Sequence, residues 1–337
     1  MKHANNFDFL RFVFAFLVVI GHTIILSARP EFNNEFFAAM PNYSVFCFFI
    51  ISGFLIYSSY DKFRDLKKYA INRARRIFPA YFFVVLFFSV FLFLFSDKNF
   101  LDYFSTDWLK YLGVNLFFMN FLQPCIDGVF GNNYICAVNG SLWTIKVELM
   151  FYIFIPFLFY ALQNKSKGRK NIILTAIYIF SILYSSLLAH NGKDELSRQL
   201  PGVLSYFATG ILLFLNLAFF KKQINLLLPF AVGIVILEKG IFSVNLVTPF
   251  ALGIGIFWAA YLKLPLKKFA KYGDFSYGVY LVHFPIIQIF VQEKLFERYS
   301  FYAFFSCLAL VVIFSVFVWN FIEKPVLKRK FNHKSVV

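Results

Sequence analysis

The chain has 337 residues, of which 60% are hydrophobic, 22% aromatic and only 15% charged, with a mean hydropathy of +0.68. No ordinary soluble domain has that composition, so the chain reads as an all-α, polytopic integral membrane protein. The net charge of +16 does not point to nucleic acid, which needs a basic patch on a soluble face, because the cations here sit between apolar runs.

Ten apolar segments are expected to span the membrane: 7–27, 43–60, 78–96, 147–162, 171–190, 200–219, 224–238, 241–262, 274–292 and 301–322. The first, FDFLRFVFAFLVVIGHTIILS, is long enough to cross ~30 Å of hydrocarbon at 1.5 Å per residue, yet it holds Asp8, Arg11 and His22. At ~100° per residue, Arg11 and His22 share a face and lie ~16.5 Å apart along the axis, with Asp8 one turn earlier. Ionisable groups in a span are costly and mark a functional site facing a bundle interior. The plainer reading pairs Asp8 with Arg11 at the headgroups and gives His22 a core hydrogen bond. Length, internal charges and the lack of a small-x-small cleavage pattern make this an uncleaved span, not a signal peptide.

With the N-terminus in the cytoplasm, 23 of the 33 Lys and Arg fall in cytoplasmic pieces and nine in external ones, while eleven of the seventeen acids fall outside, counting Glu238, which with Lys239 and Gly240 joins the seventh and eighth segments. That asymmetry follows the positive-inside rule, so both termini are expected in the cytoplasm with an even number of spans.

In the second segment, Ser52 and Gly53 interrupt a run of large side chains and permit a close helix approach. KKYAINRARRIFPAYF follows, with Arg73, Arg75 and Arg76 at the cytoplasmic edge of the third segment and Pro79 in its first turn. Such a cluster anchors anionic lipid. Arg73 and Arg76, one turn apart on one face, also have the paired forks that bind phosphate.

The connection from Asp97 to Lys146, external by the charge count, is too long for a passive loop. Its stretch 109–122 is apolar enough to lie on or re-enter the membrane, and NGS then leads into LWTIKVELMFY. Trp143 reads as an interfacial anchor, and Glu148, among Val147, Leu149 and Met150, as a functional or bundle-bracing carboxylate. Cys125 and Cys136 lie in this connection, where an oxidising exterior permits a disulfide. Cys47 and Cys307 read as inert core residues, and no Cys or His spacing suggests a metal site. The fifth to eighth segments read as scaffold. The ninth, GDFSYGVYLVHFPI, offers Tyr277, Tyr280 and His283 to an interior cavity, or to one another. IEKPVLKRK closes the chain, with no room expected for an appended soluble domain.

Taken in order, Arg11 with ten residues before His22, FFIISGFLI, RARRIFPAYF, NGSLWTIKVELMFY, GDFSYGVYLVHFPI and IEKP resemble the motifs of the acyltransferase 3 family of membrane acyltransferases. The likeness runs from the first segment to the last and is nearest the O-antigen acetylases, including those carried by bacteriophages. It departs from the family at Phe9, where Gly is usual. The resemblance implies a single transmembrane domain of ten spans in a bacterial inner membrane. It also implies acetyl transfer from acetyl-CoA to a hydroxyl of a surface glycan or lipid-linked oligosaccharide, with lipids as the other partner and no metal. It makes His22 the catalytic histidine, Arg11 its partner, and Arg73 with Arg76 the motif arginines near the inner face. Arg75, Glu148, Tyr277 and His283 join them as candidate substrate-binding residues, and Asp8, Ser52, Gly53, Pro79 and Trp143 as structural ones. The rival reading is a proton-coupled transporter, for which the two halves show no matching repeats; a Mg²⁺-dependent phosphotransferase lacks enough cytoplasmic acids.

Overall fold

The computed structural model describes residues 5–241, 245–262, 269 and 273–328, and the regular structure among them is helical, without strands. The order is α1 (Phe7–Ser27), α2 (Glu35–Phe63), α3 (Leu66–Phe91), α4 (Phe100–Tyr103), α5 (Thr106–Leu116), α6 (Trp143–Leu162) and α7 (Lys167–His190). There follow α8 (Asp194–Ser197), α9 (Leu200–Leu215), α10 (Leu217–Ile241), α11 (Thr248–Tyr261), α12 (Ser276–Gln292), α13 (Leu295–Val318) and α14 (Lys324–Leu327). Eight helical stretches among the described residues are long and apolar enough to cross a membrane. Ile172, Leu183 and Leu187 of α7 and Leu226 and Phe230 of α10 are exposed, as side chains facing lipid are. The protein is an all-α polytopic membrane protein.

Several bounds differ from the sequence reading. The helix expected from residue 78 begins at Leu66, so Arg73, Arg75 and Arg76 project from a continuous helix, and Pro79 lies in its interior rather than in its first turn. A charged stretch continues a helix as readily as an apolar one, and hydropathy marks only the part in lipid. The eighth expected segment, 241–262, includes residues 242–244, which lie outside the described ones; α11 within it has 14 residues. The seventh and eighth segments were expected to be joined through Glu238, but α10 runs on past it to Ile241. Glu238 is buried, accepts the backbone N–H of Val247 (2.6 Å) and Thr248 (3.0 Å) and the Thr248 hydroxyl (2.6 Å), and so anchors the start of α11.

The chain divides into two compact units. One comprises Met1–Phe14, Met40–Leu66 and Thr144–Tyr272, the other Ala15–Ala39, Lys67–Trp143 and Gly273–Val337. In the first, α2 and α9 cross at paired glycines. A Cβ on Gly53 would stand 2.1 Å from the Phe207 carbonyl oxygen, and one on Gly210 would stand 2.0 Å from that of Ile50. Neither place admits a side chain, so the close-approach reading of Gly53 holds, with Ser52 half-buried beside it. Phe151 of α6 stacks on Phe207 at 4.0 Å between centroids.

In the second unit the segment between α5 and α6 is fastened to α12 by amides. Gln288 donates to the carbonyls of Ile135 (2.7 Å) and Ala137 (2.9 Å), and Asn133 donates to the Gln288 carbonyl at 2.9 Å. Gln292 accepts the Phe130 N–H at 2.8 Å and donates to the Phe95 carbonyl. Cys125 and Cys136 are disulfide-bonded, with Cα atoms 5.4 Å apart.

Candidate active site

Pro285 shapes the site. Lacking an N–H, it leaves the Leu281 carbonyl, four residues back in α12, without its helical donor. Asn139 supplies one at 2.8 Å, and Ser141 is drawn in by a 2.7 Å bond to Asn139 and by the Tyr280 hydroxyl, 3.2 Å from the Ser141 carbonyl. Between them Gly140 lies against the Phe284 ring, where a Cβ would come within 2.7 Å. The NGS tripeptide is thus the clamp that fixes the middle of α12.

His283 is in that middle and fully buried. Its Nδ1 is 2.8 Å from the Tyr280 carbonyl, and its Nε2 is 2.9 Å from Nδ1 of His22 on α1. The two rings lie within 8° of parallel, and Phe284 meets the His22 ring edge-on at 5.4 Å. A carbonyl only accepts, so His283 carries its proton on Nδ1, and the lone pair on its Nε2 accepts the Nδ1–H of His22. His22 is thereby held as the tautomer with a bare Nε2, which has no hydrogen-bond partner among the described residues and belongs to a half-buried side chain. A neutral imidazole fixed in this way has the lone pair that a general base uses to take a proton from a hydroxyl.

At the other end of α12, Arg76 of α3 meets two carboxylates: Nη2 is 2.6 Å from Asp274 and Nη1 is 3.4 Å from Glu323. Glu323, 1% exposed, lies in a π turn, Trp319–Glu323, that follows α13. Ser276 bonds Asp274 at 2.6 Å. The guanidinium sits 5.7 Å over the Tyr277 ring, whose hydroxyl donates to the Ile77 carbonyl at 3.1 Å. Arg76 therefore braces three helices. Arg73 lies over Tyr69 at 5.8 Å, and Arg75 is half-buried on the same helix.

The structure thus brings His22 and His283 together, and Arg76 with Tyr277. Arg73, Arg75 and Pro79 stay on α3 in the same unit, and the other candidates belong to the first unit or to the start of α6. Arg11 is half-buried and Asp8 exposed in the opening turns of α1. Glu148 accepts the Tyr152 hydroxyl within α6, and half-buried Trp143 begins that helix. The roles of Asn139, Gln288, Gln292 and Asp274 were missed. Gln288 and Gln292, one turn apart in an apolar run, were the available signal, since buried amides need partners. Among the described residues no group of three or more His, Cys, Asp or Glu is placed to hold a metal ion.

The acyltransferase 3 family model, an acyltransferase domain, matches residues 5–320. The chain belongs to this family. Its matched range takes in α1 through α13, and with them His22, His283, Arg76 and Asp274, while Glu323 lies three residues beyond it. This acyltransferase is similar to the O-acetyl transferase of Shigella phage Sf6, with 27% identity over 98% of each chain. It is similar to Nodulation protein 10 of Rhizobium leguminosarum bv. viciae, with 29% identity over 46% of this chain and 44% of that one. The O-acetyltransferase OatA of Staphylococcus aureus is 25% identical over 85% of this chain and 52% of its own length. No solved structure matches the chain.

Proposed function

We infer that this membrane acyltransferase moves an acetyl group from cytoplasmic acetyl-CoA to a hydroxyl of an extracytoplasmic glycan, lipopolysaccharide O-antigen foremost, in a bacterial inner membrane. The observation that carries this reading is the bare Nε2 of His22, held by His283 2.9 Å away. Likeness along almost the whole chain to the phage O-acetyl transferase supports acetyl as the group moved, and the motif resemblance to O-antigen acetylases supports the acceptor.

In the proposed reaction His22 Nε2 takes the proton of a sugar hydroxyl as its oxygen attacks the thioester carbonyl. The C–S bond breaks, an ester forms, and the proton leaves with the coenzyme A thiolate, restoring the imidazole. His283 accepts from His22 Nδ1–H throughout and stabilises the imidazolium that forms. The donor's phosphates fit the arginines of α3, whose forks match phosphate oxygens. We assign them to Arg73 and Arg75, and give Arg76 the part of a brace because two carboxylates hold it. From Ser276, beside that brace, to His283 is seven residues of α12, ~10 Å, a depth that an extended pantetheine arm covers.

Mass spectrometry of the host's surface glycan, with and without the gene, tests the reading. One added acetyl per repeat, lost in His22→Ala with the protein still inserted, is the expected result. Full acetylation by a well-expressed His22→Ala variant would overturn it.

A further inference from the structure

The second unit holds a cleft of about 500 Å³ bordered by the 3-10 turn after α3, the disulfide-bearing segment, and the junction of α12 with α13. Its size is that of a small-molecule site. Its charged groups are the carboxylates of Asp97, Asp127 and Glu297 and the ammonium groups of Lys98 and Lys294. Lys98 and Asp127 pair at 3.2 Å, and the partly exposed amide of Asn133 joins them with half-buried Phe95 below. We propose that this cleft is the acceptor subsite of the enzyme, seating a neutral oligosaccharide whose terminal sugar reaches His22; the proposal rests on the acyl-transfer reading above.

Three observations support it. Donors and acceptors of Asp97, Lys98, Asn133 and Gln292 line the cleft beside the apolar side chains of Phe95, Phe130 and Val291, a mixture that suits the hydroxyls and C–H faces of a sugar. Three carboxylates against two ammonium groups give a net negative site, so the phosphates of coenzyme A are disfavoured there and donor and acceptor are kept apart. The walls are also preorganised: Gln292 joins Phe130 to Phe95, and Gly128, at φ +84°, has no room for a Cβ beside Ser96, Asp97 and Lys98. Rigid walls reduce the ordering cost of binding. Gln292, which lines the cleft, is nine residues from His283 on α12, ~13.5 Å along the axis, a length that a chain of a few sugars spans.

The test uses full-length protein in nanodiscs, with neutral oligosaccharides released from the surface polysaccharide of cells carrying the gene as one probe and coenzyme A as the other. Gly131 lines the cleft, and a Cβ there meets nothing within 4 Å, so Gly131→Trp obstructs without disturbing the fold. Asp97→Asn with Glu297→Gln, both exposed, removes acceptor groups instead. Each is expected to weaken oligosaccharide binding at least tenfold and leave coenzyme A affinity and thermal stability unchanged. Oligosaccharide affinity unchanged in both variants, or no oligosaccharide binding by the wild type, would overturn the proposal. Failure of the wild type to acetylate any glycan sinks the acyl-transfer reading instead. Acetylation with an unchanged acceptor KM in both variants sinks only the cleft.

Discussion

His283 holds the Nδ1–H of His22 at 2.9 Å with the same lone pair that its own bond to the Tyr280 carbonyl leaves free. Each ring sets the tautomer of the next, and the last bare nitrogen belongs to His22. His22→Ala should lower acetyl transfer by about 10²–10⁴-fold, the usual contribution of a positioned base, with coenzyme A binding retained. His283→Ala should cost less, because the base survives but its tautomer and angle are no longer held; rate measurements on both variants at matched protein levels check the order.

The same pair dictates the sense of the pH dependence. A proton on His22 Nε2 removes the lone pair that attacks the hydroxyl, so the rate should fall on the acid side and reach a plateau above it. In His283→Ala the acid limb should move, because the imidazolium of His22 loses its acceptor. A profile of kcat that coincides in the two proteins would remove His283 from the mechanism.

Arg76→Ala should act first on stability. It leaves Glu323, 1% exposed, as a buried charge without this partner, a loss on the order of 3 kcal/mol. Adding Glu323→Gln should recover much of the folded protein in a detergent-stability assay. Arg73→Ala should instead raise the KM for acetyl-CoA while the protein remains stable.

Gly53→Ala and Gly210→Ala should each force α2 and α9 apart and cost at least the ~1–3 kcal/mol typical of overpacking, seen as lost folded protein. Gly255→Ala, where a Cβ meets nothing within 4 Å, is the matched control and should be neutral.

Cys125 and Cys136 should resist thiol reagents in intact cells until a reductant is added. Replacing both by Ser should destabilise the enzyme by at most ~3 kcal/mol, as expected for a loop this short. Labelling before reduction would show the bond to be absent in the cell.

Much of this was legible in the sequence, because lipid imposes a simple code: long apolar runs become helices, and a charge inside one marks a site. His22 and His283 stood out on that ground, and Arg76 as one of a basic cluster at the edge of an expected segment. What stayed hidden depends on pairings far apart in the chain. Nothing near Asp274 or Glu323 says that both will face Arg76. Nothing near Asn139 says that it will answer a carbonyl freed by Pro285. The start of α3 was misplaced for a different reason, since hydropathy reports where lipid ends and helices continue past it.

The amide contacts of α12 also bear on when the second unit can fold. The segment around Cys125 and Cys136 leaves the ribosome about 150 residues before Gln288 and Gln292 exist, and the bonds that shape it span 142 to 162 residues of sequence. During synthesis that segment lacks these partners until α12 is made. A nascent chain stopped before Ser276 therefore carries His22 without the His283 imidazole that fixes its tautomer.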